Sequence, residues 1–190
     1  MASGFFAILS RLKYINRWAL MRNTERENLS EHSLETAFIA HALAVIKNRR
    51  LGGNVNVDRV ALIAMFHDTT EILTGDLPTP IKYYNPSIKD AYKQVEHVAA
   101  DRLLEMLPQQ LRQSYTHLVH EDDPEVLPTV KAADKLSAYI KCVEEQKGGN
   151  TEFDSAAKAT MKAMREMNLA ELDWFIENCL PAFSLDLDQL

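Results

Sequence analysis

The chain has 190 residues, 46% of them hydrophobic and 25% charged, and a formal net charge of -6. That is enough apolar material for one well-cored domain and little for two, and the acidic balance argues against a general binder of nucleic acid or anionic membrane. Only Cys142 and Cys179 are present, far apart and outside CxxC spacing, which disfavours a disulfide framework or a zinc knuckle and points to reduced cytosolic thiols.

The N-terminal run is apolar at first but has neither a basic leader nor a small-residue cleavage site. No stretch reaches the ~18–20 apolar residues needed to cross a bilayer, so the expected location is cytoplasmic. Between Arg11 and Arg26 the chain carries Arg11, Lys13, Arg17, Arg22 and Arg26 against Glu25 alone. Such a patch on an acidic protein suits a small anion, or is simply a solvated stretch. Residues 29–47 then place Leu34, Ala37, Phe38, His41, Val45 and Ile46 on one helical face. This predicts a core face with His41 as a structural histidine, and Gly52-Gly53 as the stop.

Asp58 is expected to cap a helix running to Leu73, with Gly75 just past its end. The proline-rich GDLPTPIKYYNP reads as a stiff, irregular loop. Asn85-Pro86 opens a helix with the stripe Ile88, Ala91, Tyr92, Val95, Ala99 and Leu103, halted by Pro108. A shorter helix over 109–119 follows, then one from about Pro124 to Lys147 before Gly148-Gly149, and two more over 152–167 and 169–180. No alternating strand pattern and no repeat appears. The expectation is a single all-α domain over 1–190, with about six to eight helices.

One feature of this helical pattern demands a chemical reason. His67-Asp68 stands inside the apolar segment VALIAMFHDTTEIL, where an unpaired buried carboxylate costs several kcal/mol. A divalent cation shared between imidazoles and carboxylates supplies the reason; a core histidine bonded by a local aspartate is the plainer alternative. Asp134, in VLPTVKAADKLSAYIKCV, falls on the inward stripe with Val130, Ala133, Ser137 and Ile140, and reads as a ligand because Lys131 and Lys135 point toward solvent. His32 opens a helix in LSEHSLE, capped by Asn28 or Ser30, and alone is an ordinary first-turn residue. Glu71, four residues after His67, shares its helix face and is placed either for acid or base work or for an ion pair with Lys82 or Arg17. His97, His117 and His120 read as surface residues without matching carboxylates.

The pattern H…HD…D formed by His32, His67-Asp68 and Asp134 resembles the HD-domain phosphohydrolases. The runs LSRLKYINRWALMRN, ENLSEHSLETA, MFHDTTEILTGDLPTPIKYYN and VKAADKLSAYIKC resemble, more closely, the bacterial HD-domain 5′-deoxyribonucleotidases along most of the chain, most specifically in LTGDLPTP. The resemblance implies an all-α HD fold and removal of phosphate from deoxyribonucleoside 5′-monophosphates, with little action on ribonucleotides. It implies one divalent cation, cobalt or manganese, and a homodimer. Carried to this sequence, it makes His32, His67, Asp68 and Asp134 the metal ligands, with His32 and Asp134 also near substrate, and Glu71 and Asp68 the catalytic groups. Arg17 and Trp18 would meet the phosphate, and Asp76, Leu77, Pro78 and Thr79 the sugar side.

Two other readings stay open on the residues alone. One is an HD-type hydrolase of a tri- or cyclic phosphate, which would want more positive charge than the Arg11–Arg26 patch offers. The other is a non-catalytic helical module whose ligands only hold the fold, against which Glu71 and Arg17 are surplus. The apolar tail WFIENCLPAF is the candidate dimer surface.

Overall fold

In the computed structural model, which describes residues 2–82 and 84–190, the organising helix is α2 (Leu29–Arg50). It starts where the Asn28 side chain accepts hydrogen bonds from the Ser30 and Glu31 amides, while the Glu31 carboxylate accepts one from the Asn28 amide. This reciprocal cap fixes the first turn, the turn that carries His32. Gly52, with φ +72, lets the chain leave the far end in the left-handed conformation.

A five-residue α1 (Phe5–Leu9) precedes it, and α3 (Val57–Phe66), α4 (Glu71–Thr74) and α5 (Thr79–Lys82) follow. The long α6 (Pro86–Glu105) opens with Asn85 capping the Ile88 amide and Pro86 in the first turn, as the sequence predicts. Next come α7 (Gln109–His120), α8 (Leu127–Lys147), α9 (Asp154–Glu166) and α10 (Ala170–Asn178). Among the described residues the only bridge is an isolated one between Asn16 and Asn28. Helices of nine residues or more are α2, α3 and α6–α10, which agrees with the expected all-α architecture and helix number.

α2 packs against α3 and α8 around Ala40, Leu43, Val60, Ile63, Ala133, Leu136 and Ile140, closed by Leu172 and Ile176 of α10. Phe5, Ala100, Leu103, Leu107 and Val119 join α1, α6 and α7. Phe153, Cys142 and Ala157 form a smaller cluster under Trp18 and Met21.

Several expectations are corrected here. Leu34, Phe38, His41 and Val45 are exposed, so His41 is a surface residue. The buried side of α2 instead carries His32, Ser33 and Thr36 together with Ile39, Ala40 and Leu43. A polar half-face turned toward α8 shifts the phase that apolar periodicity alone proposes. In α6, Ile88, Ala91 and Val95 are exposed and only its C-terminal turns are buried, at Ala99, Ala100, Leu103 and Leu104. The tail WFIENCLPAF is not a free surface, because Phe175, Ile176 and Leu180 are buried in the main core.

Asn56, not Asp58, caps α3, and that helix ends at Phe66 without continuing to Leu73. The cause is local. His67 Nδ1 is 2.7 Å from the Ala64 carbonyl, the acceptor that the Asp68 amide would take in an unbroken helix. Over the next turn the amides of Thr69, Glu71, Ile72 and Leu73 bond three residues back, to Phe66, Asp68, Thr69 and Thr70. The tightened turn carries His67-Asp68 into the interior and restarts the chain as α4 at Glu71.

Candidate metal centre

His32, His67 and Asp68 bring ligand atoms within 4.8 Å of one another at the tightened turn, and Asp134 of α8 approaches the two imidazoles. His32 Nε2, from the first turn of α2, is 3.2 Å from His67 Nε2, 3.4 Å from Asp68 Oδ2 and 3.2 Å from Asp134 Oδ1 of α8. His67 Nε2 is 3.2 Å from Asp68 Oδ2 and 3.9 Å from Asp134 Oδ1. Ligand bonds of ~2.1 Å around one ion give ligand-to-ligand edges of roughly 3.0–3.4 Å, so most of these spacings suit a shared cation. His32 is fully buried and His67 nearly so, whereas the Asp134 side chain is 39% exposed and opens on a cavity, a correction to the inward placement expected for it.

The electrostatics ask for positive charge at the same point. Burial opposes a proton on His67, but Asp68 and Asp134 outweigh it and lift that imidazole well above its ordinary value. Burial likewise acts to raise Asp134, yet hydrogen bonds from His32 and His67 hold it well below the usual carboxylate range. Two nitrogens and two carboxylates that draw a cation among themselves fit a divalent ion of N/O preference. The His67 Nδ1 contact with Ala64 O is the outer hydrogen bond that points Nε2 inward.

Around this core stand the other expected residues. Arg17 Nη1 is 3.1 Å from each Glu27 carboxylate oxygen and 2.8 Å from His32 Nδ1, and Nη2 is 3.9 Å from Asp134. Trp18 holds φ +57; its indole N–H donates to Glu27 at 2.8 Å and its ring packs on Phe153, with centroids 5.3 Å apart. Glu71 is buried, with Oε2 unpartnered and Oε1 3.7 Å from Lys82 Nζ. Burial first, then the charges of Asp68 and Asp76, push its carboxyl up to about 9. Asp76, Leu77 and Pro78 form the half-buried irregular stretch after Gly75, and burial raises the Asp76 carboxyl against the pull of Arg17. The Thr79 side chain lies outside the described residues.

A cavity of about 550 Å³ opens beside His67, Asp68, Glu71 and Asp134. Lys82, Lys93, Lys131 and Lys135 also line it, and Lys131 is exposed to solvent as expected while Lys135 is half-buried. His97 and His120 line it too and both meet Asp101, at 3.9 and 3.1 Å, while His117 meets Asp122 at 2.7 Å; these histidines do have carboxylate partners, contrary to expectation. The sequence also left unnoticed Glu27, which holds Arg17 and Trp18, and the contact of Ser137 with Glu35 at 2.5 Å. Ser137 has a signal, since it is three residues from Asp134 on the same helix face; Glu27, in irregular chain, has none.

A family model for YfbR-like 5′-deoxynucleotidases matches residues 4–183. The chain belongs to this family. Proteins named 5′-deoxynucleotidase from Erwinia tasmaniensis and Photorhabdus laumondii are 52% and 51% identical to it over 190 residues, covering 99% of this chain and 96% of each relative. Among solved structures, an HD-domain phosphohydrolase from Listeria innocua superposes with a TM-score of 0.76 at 24% identity, over 96% of this chain and 89% of that one. A cyanophage S-2L HD phosphohydrolase, described as bound to dA and one catalytic Zn2+ ion, superposes with a TM-score of 0.67 at 19% identity, over 92% of this chain and 95% of that one. These likenesses carry the fold: this 5′-deoxynucleotidase-family chain has the HD-domain architecture.

Proposed function

We propose that this chain, acting as one HD-type unit over its whole length, is a metal-dependent phosphomonoesterase. It hydrolyses deoxyribonucleoside 5′-monophosphates to deoxyribonucleosides and phosphate and discriminates against ribonucleotides. The observation that carries the reading is the buried Glu71 carboxyl, one oxygen unpartnered, beside the ligand atoms of His32, His67, Asp68 and Asp134 in a family whose members are named for this activity. His32, His67, Asp68 and Asp134 would hold the cation, with cobalt or manganese our choice. When bound, such an ion supplies Lewis acidity, lowering the pKa of water and neutralising phosphate charge.

The chain's own groups do the rest. Arg17 presents a planar guanidinium to the phosphate oxygens, held in place by Glu27, which is in turn held by the Trp18 indole. Trp18 therefore serves the phosphate through Glu27 and orients the arginine. Asp68, kept ionised chiefly by His67 against its burial, accepts a hydrogen bond from the attacking water. Glu71, protonated near neutrality, gives its proton to the departing 5′-oxygen and is reset by Lys82-side solvent. Asp76 accepts the 3′-hydroxyl, while Leu77 and Pro78 crowd the position a 2′-hydroxyl would need. The cavity's lysines neutralise an incoming dianion on a protein of net charge -6.

The enzyme would act in the cytoplasm as a homodimer. Among the described residues no helix is long and apolar enough to cross a membrane. The exposed apolar line Leu34, Phe38 and Val45 on α2 is the face we assign to the second copy. Phosphate release from deoxyadenosine and adenosine 5′-monophosphate, each with and without chelator, tests the function. The deoxy substrate alone should turn over, and only with cation; equal turnover of both, or turnover in chelator, would remove the reading.

A further inference from the structure

The two imidazoles of the centre are set in different ways. His67 Nδ1 faces a backbone carbonyl, which only accepts, so its proton is fixed there and Nε2 looks inward. His32 Nδ1 has two close side-chain partners that make opposite demands, with Thr36 Oγ1 at 3.5 Å and Glu27 Oε1 at 3.7 Å farther out. Arg17 Nη1, 2.8 Å away, only donates and requires a bare Nδ1. Ser137 Oγ, 3.0 Å away on the other side, can accept from a protonated Nδ1 and pass its own hydrogen to Glu35 Oε2 at 2.5 Å.

A neutral imidazole has one N–H, so the choice is exclusive. With the proton on Nε2, Arg17 bonds Nδ1 and His32 turns an N–H, not a lone pair, toward Asp68 and Asp134. With the same proton on Nδ1, the row His32–Ser137–Glu35 is satisfied from end to end and Nε2 turns a lone pair into the centre. His32 and Ser137 are both fully buried, so water cannot replace either partner cheaply. The pairing is built into two helices: His32 and Glu35 lie three apart on α2, Ser137 and Asp134 three apart on α8.

We propose that Ser137 and Glu35 are positioning residues that fix the Nδ1–H tautomer of His32, and that Arg17 and Ser137 are alternative partners for that nitrogen. Cation uptake then selects Ser137, and Arg17, released from His32 but still tethered by Glu27, turns to the phosphate. Loading of the centre and readiness for substrate become one event. The inference deepens the cation reading above and rests on it.

The test is Co2+ titration followed by d–d absorbance, on wild type, Ser137→Ala, Ser137→Thr and Glu35→Leu, with thermal melts to check folding. Nitrogen NMR of the Zn2+-loaded protein adds the tautomer. Ser137→Ala should weaken Co2+ binding about 10–100-fold. Ser137→Thr, which keeps the hydroxyl, should restore it, and Glu35→Leu should also weaken it. The wild-type His32 ring should show a protonated Nδ1. Folded Ser137→Ala that binds Co2+ like wild type, or a His32 proton on Nε2 in the loaded protein, would overturn the proposal. A wild type that takes up no Co2+ would instead remove the cation reading, which separates the two failures.

Discussion

At the scale of the residue, the decisive contrast is between two carboxyls close in sequence. Asp68 is kept ionised because His67, His32 and their hydrogen bonds reverse the effect of burial. Glu71, three residues on, has burial and like charge acting together and titrates at about 9. In the proposed mechanism this contrast gives the two carboxyls opposite tasks, one accepting and one donating a proton. Glu71→Gln mimics the protonated shape but has no acidic proton, so kcat should fall about 10²- to 10⁴-fold while Co2+ affinity stays near wild type. Stability gives a second reading. Between the ordinary value of 4.5 and about 9, the folded chain keeps a proton that the unfolded chain has shed, so wild-type stability declines as pH rises through that window. Thermal melts of Glu71→Gln from pH 5 to 9 should lack this decline; an identical slope in both proteins would show that Glu71 is ionised in the fold.

At the scale of the element, the site depends on irregular chain being held by regular helices. The segment carrying Arg17 and Trp18 has little structure of its own, and Trp18 itself stands in the left-handed region, at a cost of order 1–3 kcal/mol. The strain persists because the next stretch is fastened to α8. Glu145, fully buried, accepts from the Thr24 amide and hydroxyl, from the Glu25 amide and from Asn150, and pairs with Lys141 Nζ at 2.5 Å, which itself donates to the Glu25 carbonyl. Burial acts to raise Glu145, but Lys141 and these donors hold it near 2. A carboxyl depressed in the fold contributes stability above its ordinary 4.5 that is lost as pH falls toward 2. Glu145→Gln should cost about 3–5 kcal/mol at neutral pH, because Lys141 is left as an uncompensated buried charge. It should also flatten the acid limb of the stability curve below pH ~4.5. Urea unfolding at pH 7 and pH 3 checks both, and a loss under 1 kcal/mol would deny the clasp its role.

Element ends were well written in the sequence. Asn85-Pro86, Gly75 and Gly148-Gly149 mark real boundaries because caps and left-handed turns are local chemistry. The break after Phe66 was not legible, since a histidine taking a backbone carbonyl looks like any helical histidine until its partner is known. Nor was the phase of α2, whose inward face mixes His32, Ser33 and Thr36 with Ile39, Ala40 and Leu43.

At the scale of the molecule, the cavity beside the cluster mixes Lys82, Lys93, Lys131 and Lys135 with Glu71, Glu96, Glu121 and Asp134, and apolar side chains of α2 and α6 stand exposed. His67-Asp68 and Asp134 were legible as polar groups in apolar stripes and His32 only through the family resemblance, whereas the cavity's lysines, spread over α5, α6 and α8, come together only once the helices pack. On the exposed side of α2, Phe38 is 66% exposed and Leu34 49%. A free face of that kind invites a partner. Phe38→Glu should convert the proposed dimer to a monomer in sedimentation equilibrium without lowering Co2+ affinity; an unchanged dimer would move the interface elsewhere.

The central claim is that His32, His67, Asp68 and Asp134 grip one divalent cation. Anomalous diffraction at the cobalt edge, from crystals grown with Co2+, measures it directly. The expected map has a single strong peak within about 2.0–2.2 Å of His32 Nε2, His67 Nε2 and one oxygen each from Asp68 and Asp134. No peak among those four atoms, with cobalt bound elsewhere or nowhere, would contradict the account.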